Sequence, residues 1–465
     1  MTQKKYHKTI FIFRRDLRLE DNTTLNQCAA ESEKILPIFI FDDRQVKKKQ
    51  NEYFSKHAFQ FLVDSLVELD GALKKKGSAL SFFSGHPDQI IKKLLQEENF
   101  DAVYFNKDHT PFACKRDKRI KDLCNSLDKG CVSNWDALLH KPGTILTKTG
   151  GPYKVFTPFK KSALSSDPEK PKPLGSAAFY AQVHSLAQGV HFAREQLTDF
   201  ERNENLAQVP GRDEALDIIE HIQDFANYNE ERDYPAKSGT TKLSGHLKFG
   251  SISPREVYWQ VVKMFGKSHG LVNELYWRDF YAHLMWHYPE LLGQEMQEKY
   301  RTLRWENDKE KFEKWCRGKT GFPIVDAAMR ELNQTGWMHN RMRMTVASFL
   351  IKDLHIDWQW GERYFAQQLL DYDPASNNGG WQWAASTGAD AQPYFRIFNP
   401  WSQQKRFDPE ARYIKKYVPE LSNLSASEIH KIEKGVVPEG VDYPAAMVNH
   451  QDERKTALAQ YEQHK

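Results

Sequence analysis

Short apolar runs alternate with helical stretches through the first third of the chain. Residues 9–13, 35–41, 79–83, 101–105 and 131–134 are brief, rich in β-branched and aromatic side chains, and read as strands. Between them lie amphipathic stretches such as 53–75, where Phe54, Ala58, Phe61, Leu62, Leu66 and Leu69 recur at helical spacing. Strands alternating with helices of this length predict a parallel, doubly wound α/β sheet. RRDLRLEDN (14–22) follows the first strand, where open α/β sheets tend to place functional residues. It holds no glycine-rich phosphate fingerprint, so a standard dinucleotide site is not supported.

The pattern weakens from about 141 to 210. SALSSDPEKPKPLGSAAF (162–179) is rich in serine and proline and reads as an exposed connector. After Gly211 the strand pattern does not return. Residues 212–227, 254–265, 272–287, 322–333, 337–353 and 361–370 all carry helical periodicity. The expected organisation is therefore an α/β domain over 1–135, an interdomain connector over 136–210 and a large all-α domain over 211–465.

A chain of 465 residues can bury a large core. The formal net charge of +4 does not announce a nucleic-acid binder, so any basic surface must come from clustering. The mean hydropathy of −0.70 and the lack of a long apolar run argue against a membrane span. MTQKKYHKTIFIF has no apolar core suited to a signal peptide, and a cytoplasmic location is expected. Cys28, Cys114, Cys124, Cys131 and Cys316 are odd in number and not in CxxC spacing, which fits reduced thiols and no zinc site.

The twelve tryptophans change the picture, because many stand beside ionisable groups in the second half. SGTTKLSGHLKFGSISP (238–254) offers hydroxyls, backbone N–H groups and Lys242, which can hold phosphate oxygens; taken alone, the segment reads more readily as a capped helix–helix turn. ELYWRDFYAHLMWHY (274–288) spaces Glu274, Trp277, Arg278 and Tyr281 along neighbouring faces of one helix. A carboxyl beside an indole could move a proton near a stacked base, and an ordinary amphipathic helix has the same pattern.

TGWMHNRMRMTVASF (335–349) sets Asn340 and Met344 one turn apart with Arg341 and Arg343 beside them. That is an amide for a base edge, a soft apolar wall and cations for phosphate. His339 reads as structural. In DYDPASNNGGWQW (371–383), Asp371 and Asp373 precede a helix-ending Pro374, and two glycines allow close backbone approach to a ligand. The acids invite a metal, but no other carboxylate cluster supports one. Trp381 and Trp383 would point to different faces of a helix. YFRIFNPWSQQKRF (394–407) mixes aromatics with Arg396, Lys405 and Arg406, which suits stacking plus phosphate contact or a loop anchored by aromatics.

Taken in order, FRRDLRLEDN, TTKLSGHLKFGSISP, NELYWRDFY, GKTGFPIVDAAMRELNQTGWMHNR and NNGGWQWAASTGADAQPYFRIFNP closely resemble the cryptochrome/photolyase family over nearly the whole chain. The resemblance implies a noncovalent FAD, active when reduced, in the helical domain and an antenna chromophore toward the α/β domain. It assigns Tyr228, Thr240, Thr241, Lys242, Leu243 and Ser244 to the adenosine and phosphate side of FAD. Lys242 replaces the usual arginine and loses its bidentate fork. Arg278, Arg343, Asp371, Tyr372 and Asp373 are implied as further FAD contacts, with Asn377 facing the reactive flavin nitrogen. A neutral amide there fits a fully reduced flavin.

The same resemblance is closest to bacterial class I enzymes that split cyclobutane pyrimidine dimers in UV-damaged DNA under light. Asn340 and Met344 stand where (6-4) photolyases carry two histidines, which argues against (6-4) repair. Glu274, Asn340 and Met344 would contact the dimer, Trp277 and Trp383 would stack on it, and Arg232, Arg341 and Gln403 would meet DNA. Glu274 is expected to have its pKa raised by burial beside indoles. Trp381, Trp358 and Trp305 match the family's electron-hopping triad, while Trp337 and Trp315 are expected to be structural.

NKDHTPFACKRD (106–117) aligns with an antenna segment. Thr110 stands near the place of the acid found in folate-binding members, so methenyltetrahydrofolate, a deazaflavin, a flavin or no antenna at all remain open. No interface motif suggests more than a monomer. A blue-light photoreceptor without repair activity is the alternative, weakened because the chain ends soon after FNPW without a long tail. Repair restricted to single-stranded DNA is a third reading.

Overall fold

A computed structural model describes residues 4–180, 200–435 and 437–464. β1 (Tyr6–Phe13), β2 (Ser32–Phe41), β3 (Ser81–Ser84), β4 (Ala102–Lys107) and β5 (Gly130–Trp135) form one sheet in the order β3-β2-β1-β4-β5. Every pairing is parallel, so each connection crosses a face of the sheet. All five expected strands are present, and the 53–75 stretch forms the Lys56–Lys74 helix, capped by the Ser55 side chain. The sheet buries Ile10, Ile12, Val103 and Phe105 against Ile120 and Cys124 of the Pro111–Ser126 helix.

After β1, the RRDLRLEDN segment turns inward from Asp16, with Asp16, Leu17, Arg18 and Leu19 all buried. Arg18 is buried and donates to Asp136 at 2.5 Å, to the Asp21 carbonyl and to the Gly250 carbonyl. Arg255 joins the same network through Asp21 at 2.9 Å and Asp136 at 2.8 Å. Burial opposes the charge on Asp136, but Arg18 and Arg255 overcome it and hold the carboxyl below its ordinary range. The loop is a clamp between the sheet and the Pro254–Phe265 helix. Removing one partner of such a buried pair typically costs about 3–5 kcal/mol.

The expected connector is also more structured than its composition suggests. Phe156–Ala163 is a helix, and it buries Phe156, Phe159 and Ala163. Beyond it, Ile35 N–H donates to the Ala178 carbonyl and Tyr180 N–H to the Ile35 carbonyl, so this stretch is tied to β2. The part of the connector over 181–199 lies outside the described residues.

The helices Pro254–Phe265, Gly270–His287, Pro323–Thr335, Asn340–Lys352 and Trp358–Gln368 fall where the periodicity placed them. Arg212–Glu220 is shorter than expected and gives way to a 3-10 turn at Ile222–Phe225. Compactness divides the chain into a sheet unit (Met1–Asn203, Gln208–Asp224, Lys242–Pro289) and a helical unit (Glu204–Ala207, Phe225–Thr241, Glu290–Lys465). These limits differ from 1–135, 136–210 and 211–465. The Arg255 ion pairs are one reason, since they bind the Pro254–Phe265 helix to the sheet unit. Among the described residues no helix is long and apolar enough to cross a membrane.

Candidate cofactor and lesion site

In the helical unit, the Asn340–Lys352 helix starts at His339, whose Nδ1 accepts the Arg341 N–H at 3.2 Å. Burial pushes His339 down to about 4, so a neutral cap serves the helix N-terminus, matching its structural reading. Glu331 is buried beneath this cap and accepts from His339 N–H, Tyr413 and Tyr417. One turn into the helix, Arg343 donates to Asp371 Oδ2 at 2.8 Å and to the Met338 carbonyl at 2.8 Å. The other Asp371 oxygen, Oδ1, is buried without a hydrogen-bond partner among the described residues. An unsatisfied buried acceptor is costly unless a donor arrives.

The block 371–383 is only in part a loop. Asp373 caps the Pro374–Ala385 helix by accepting from Ala375 and Ser376 N–H groups at 3.1 and 3.0 Å. The two acids are thus one ion-paired group and one helix cap. Asn377 and the two glycines lie within the helix. Asn377 donates its amide to the carbonyl and the carboxylate of Glu362, at 3.0 and 2.9 Å. Glu362 therefore fixes which way that amide points. Tyr372 packs beside the helical core.

Trp381 and Trp383 do point to different surroundings. Trp381 is buried against Phe365, with ring centres 5.0 Å apart, whereas half-buried Trp383 lies 6.5 Å from Phe398. Gly361 makes room for Trp381, because a Cβ there would lie 2.1 Å from its ring. Trp358 is buried and donates its indole N–H to Glu295 Oε1 at 3.0 Å. Trp305 is half-buried. Trp315 is wholly buried and bonds the Val346 carbonyl, and Trp337 is also buried.

Asn340 is exposed, and its amide lies 3.9 Å from Met344 Sδ, so the two share one face as their spacing suggested. Arg341 pairs with Asp233 at 2.9 Å and lies over Phe407, while Arg232 lies over the ring of buried Tyr228. Gln403 sits half-buried on the Pro400–Phe407 helix. Thr240 and Thr241 belong to this unit and are half-buried.

In the sheet unit, Lys242 is exposed and left-handed at φ 52°, Leu243 is buried, and Ser244 Oγ accepts from Gln208 at 2.9 Å. Glu274, Trp277 and Arg278 are half-buried on the Gly270–His287 helix. Trp277 is stacked on Phe156, ring centres 3.7 Å apart and 7° from parallel. One indole face is therefore already covered. Arg278 donates to the carbonyls of Ala137 and Leu247.

Arg14, just after β1, and Arg116, on the Pro111–Ser126 helix, share Asp117 Oδ1 at 2.6 and 2.9 Å. Each guanidinium keeps one buried Nη2 without a partner among the described residues. Burial first, then repulsion from Arg116, lowers Arg14 to about 10. Thr110 caps the Pro111–Ser126 helix, which commits its hydroxyl.

Phe156, Glu362, Asp233 and Glu295 were not singled out from the sequence. Phe156 sits in the stretch with no clear pattern, and the acids look like ordinary solvated charges in a chain with 62 of them. Only their long-range partners distinguish them.

Residues 271–463 match the family model for the FAD binding domain of DNA photolyase, and residues 9–175 match that for DNA photolyase. A deoxyribodipyrimidine photo-lyase from Agrobacterium fabrum is 37% identical, covering 97% of this chain and 96% of that protein. The crystal structure of an archaeal photolyase from Sulfolobus tokodaii with two FAD molecules is 40% identical, with a TM-score of 0.89 over 98% of this chain and 100% of that one. A Synechocystis cryptochrome structure is 28% identical, with a TM-score of 0.87 over 99% and 100% of the two chains.

Proposed function

The chain belongs to the DNA photolyase family, and from that premise we propose that it repairs cyclobutane pyrimidine dimers in UV-damaged DNA under light. The observation that carries the reading is the Arg343–Asp371 pair inside the matched FAD domain, with one buried carboxylate oxygen left to accept a flavin N–H. Bound FAD, when reduced, supplies the photoexcited electron that opens the dimer.

The chain's own groups would hold and orient. Tyr228, Thr240, Thr241, Lys242, Leu243 and Ser244 would keep the adenosine and phosphate side of FAD, with Arg278, Tyr372 and Asp373 as further contacts. Asn377, held by Glu362, would present its amide oxygen toward the flavin. Arg232, Arg341 and Gln403 would meet the DNA backbone, giving salt-sensitive affinity. A flipped dimer costs little to extract because it is already poorly stacked and paired. Glu274 would hydrogen-bond it, Asn340 and Met344 would line it, and Trp277 and Trp383 would stack on it.

Trp305, Trp358 and Trp381 would relay electrons that return the flavin to its reduced state. The progression from half-buried Trp305 to buried Trp358 and Trp381 supports that order. A second chromophore in the sheet unit, whether a folate, a deazaflavin or a flavin, would serve as antenna. Unpartnered Arg14 and Arg116 N–H groups favour one bearing an anionic group. The protein would act as a cytoplasmic monomer. Illuminating the reduced holoprotein with lesion-bearing duplex tests the reading.

A further inference from the structure

Trp358 and Trp315 lie in the same helical core, and their indole N–H groups are satisfied in different ways. Trp315 uses the neutral carbonyl of Val346 at 3.2 Å. Trp358 uses the carboxyl group of Glu295 at 3.0 Å, although both residues are more than nine-tenths buried. A backbone carbonyl satisfies a buried indole at no charge-burial cost, whereas a buried carboxylate is expensive unless something cationic compensates it. Among the described residues Glu295 takes part in no salt bridge; Arg301 donates to its backbone carbonyl at 3.0 Å.

The segment bearing Glu295 is also held firmly. Asn378 and Gln382 donate to the Leu291 carbonyl, and Gln382 also donates to the Gln294 carbonyl. Met296 N–H donates back to Gln382 at 3.0 Å, and Gln297 N–H donates to the Thr387 carbonyl at 2.9 Å. All of these partners lie on or just after the Pro374–Ala385 helix that carries Trp381. Asp357 caps the helix beginning at Trp358, and its carboxyl is raised by burial and further by the charge of Glu295. A second acid therefore faces this end of the Trp358 helix.

We propose that Glu295 is the charge-compensating and proton-accepting partner of an indole radical formed on Trp358. This rests on the electron relay described above. The oxidant is photoexcited oxidised flavin, acting through Trp381. One electron leaves Trp358 for the Trp381 radical cation, which becomes neutral Trp381. The positive charge then on Trp358 sits beside the Glu295 carboxylate, which stabilises it. If the charge lingers, the Nε1–H bond breaks and the proton forms an O–H bond on Glu295, leaving a neutral indole radical and a neutral carboxylic acid. An electron from Trp305 and return of that proton restore Trp358 and Glu295. An external thiol finally reduces the Trp305 radical.

Time-resolved absorption separates an indole radical cation from its neutral form and so reads Glu295 directly. In full-length FAD-loaded protein carrying Trp305→Phe, the charge stops at Trp358, and the neutral radical is expected to form with a hydrogen-isotope effect. Adding Glu295→Gln keeps an acceptor of the same shape but removes the charge. The cation should then persist and the initial charge separation recombine about tenfold faster, the rate equivalent of ~1.4 kcal/mol. Glu295→Asp should restore part of the neutral-radical yield, and an unchanged flavin spectrum reports an intact fold. Identical radical form and lifetime with and without Glu295→Gln would overturn the inference. If instead Trp358→Phe photoreduces at the parental rate, the relay itself is wrong, and the two failures are distinguishable.

Discussion

Arg343 Nη2 stands 2.8 Å from Asp371 Oδ2, and the second Asp371 oxygen is buried with no partner among the described residues. The pair joins the first turns of the Asn340–Lys352 helix to the segment just before the Pro374–Ala385 helix. Asp371→Asn keeps the shape but removes the charge that Arg343 needs. Purified protein should retain less FAD, and the flavin-free protein should lose about 1–3 kcal/mol in chemical denaturation, Arg343 being partly solvated. Full flavin retention with unchanged stability would contradict this.

Gly361 is the position where a single methyl group would reach Trp381. Its built Cβ lies 2.1 Å from the Trp381 ring and 2.6 Å from Leu350. Gly361→Ala should therefore destabilise by overpacking, about 1–3 kcal/mol, despite a gain in helix propensity. The same shift of Trp381 should slow photoreduction of oxidised flavin, followed by its absorbance under illumination.

Glu274 is expected to act on the lesion rather than on the cofactor. Glu274→Ala should lower the repair yield per absorbed photon several-fold, roughly the loss of one hydrogen bond to a charged group. FAD content, measured by absorbance after purification, should not change. Loss of bound FAD instead would mean that Glu274 has been assigned the wrong role.

Acid should destabilise the fold well above the carboxylate range. Burial lowers His246, His283 and His339 to about 4 each, against an unfolded value of about 6.5. Their contribution is complete above the unfolded value and is lost as pH falls through the folded one. Asp279 and Asp353 oppose them: burial raises these carboxyls to about 7 and about 6, so their contribution is present at low pH and lost as pH rises through those values. With three such histidines against two such acids, the thermal midpoint should fall from pH 6.5 to 4. Asp279→Asn should steepen that fall, and a flat midpoint would refute the assignment.

Much of the fold was legible because hydrophobic period reports burial locally. The five strands and the Pro254–Phe265 helix follow from which face each segment must hide. The 371–383 block was harder, since Pro374 reads as ending a helix, while the Asp373 cap and core packing of Trp381 make it start one. RRDLRLEDN misled for a related reason. Its place after the first strand suggested a functional loop, but Asp136 and Arg255, more than a hundred residues downstream, bury Arg18 and Asp21 in an ion-pair network.

The residues named for the site carried chemistry visible in their own side chains. Those missed act through a partner distant in sequence. Glu362 is separated by 15 residues from Asn377, and Glu295 by 63 from Trp358. No local spacing rule connects such pairs.

The central claim is tested most directly by illuminating the fully reduced holoprotein with two duplexes, one bearing a cyclobutane pyrimidine dimer and one a (6-4) photoproduct. Restored thymines, read by chromatography, are expected only from the cyclobutane dimer and only in the light, because Asn340 and Met344 supply no histidine pair for the (6-4) lesion. Repair of neither lesion would contradict the enzymatic reading, and repair of the (6-4) lesion alone would overturn the assignment of the pocket.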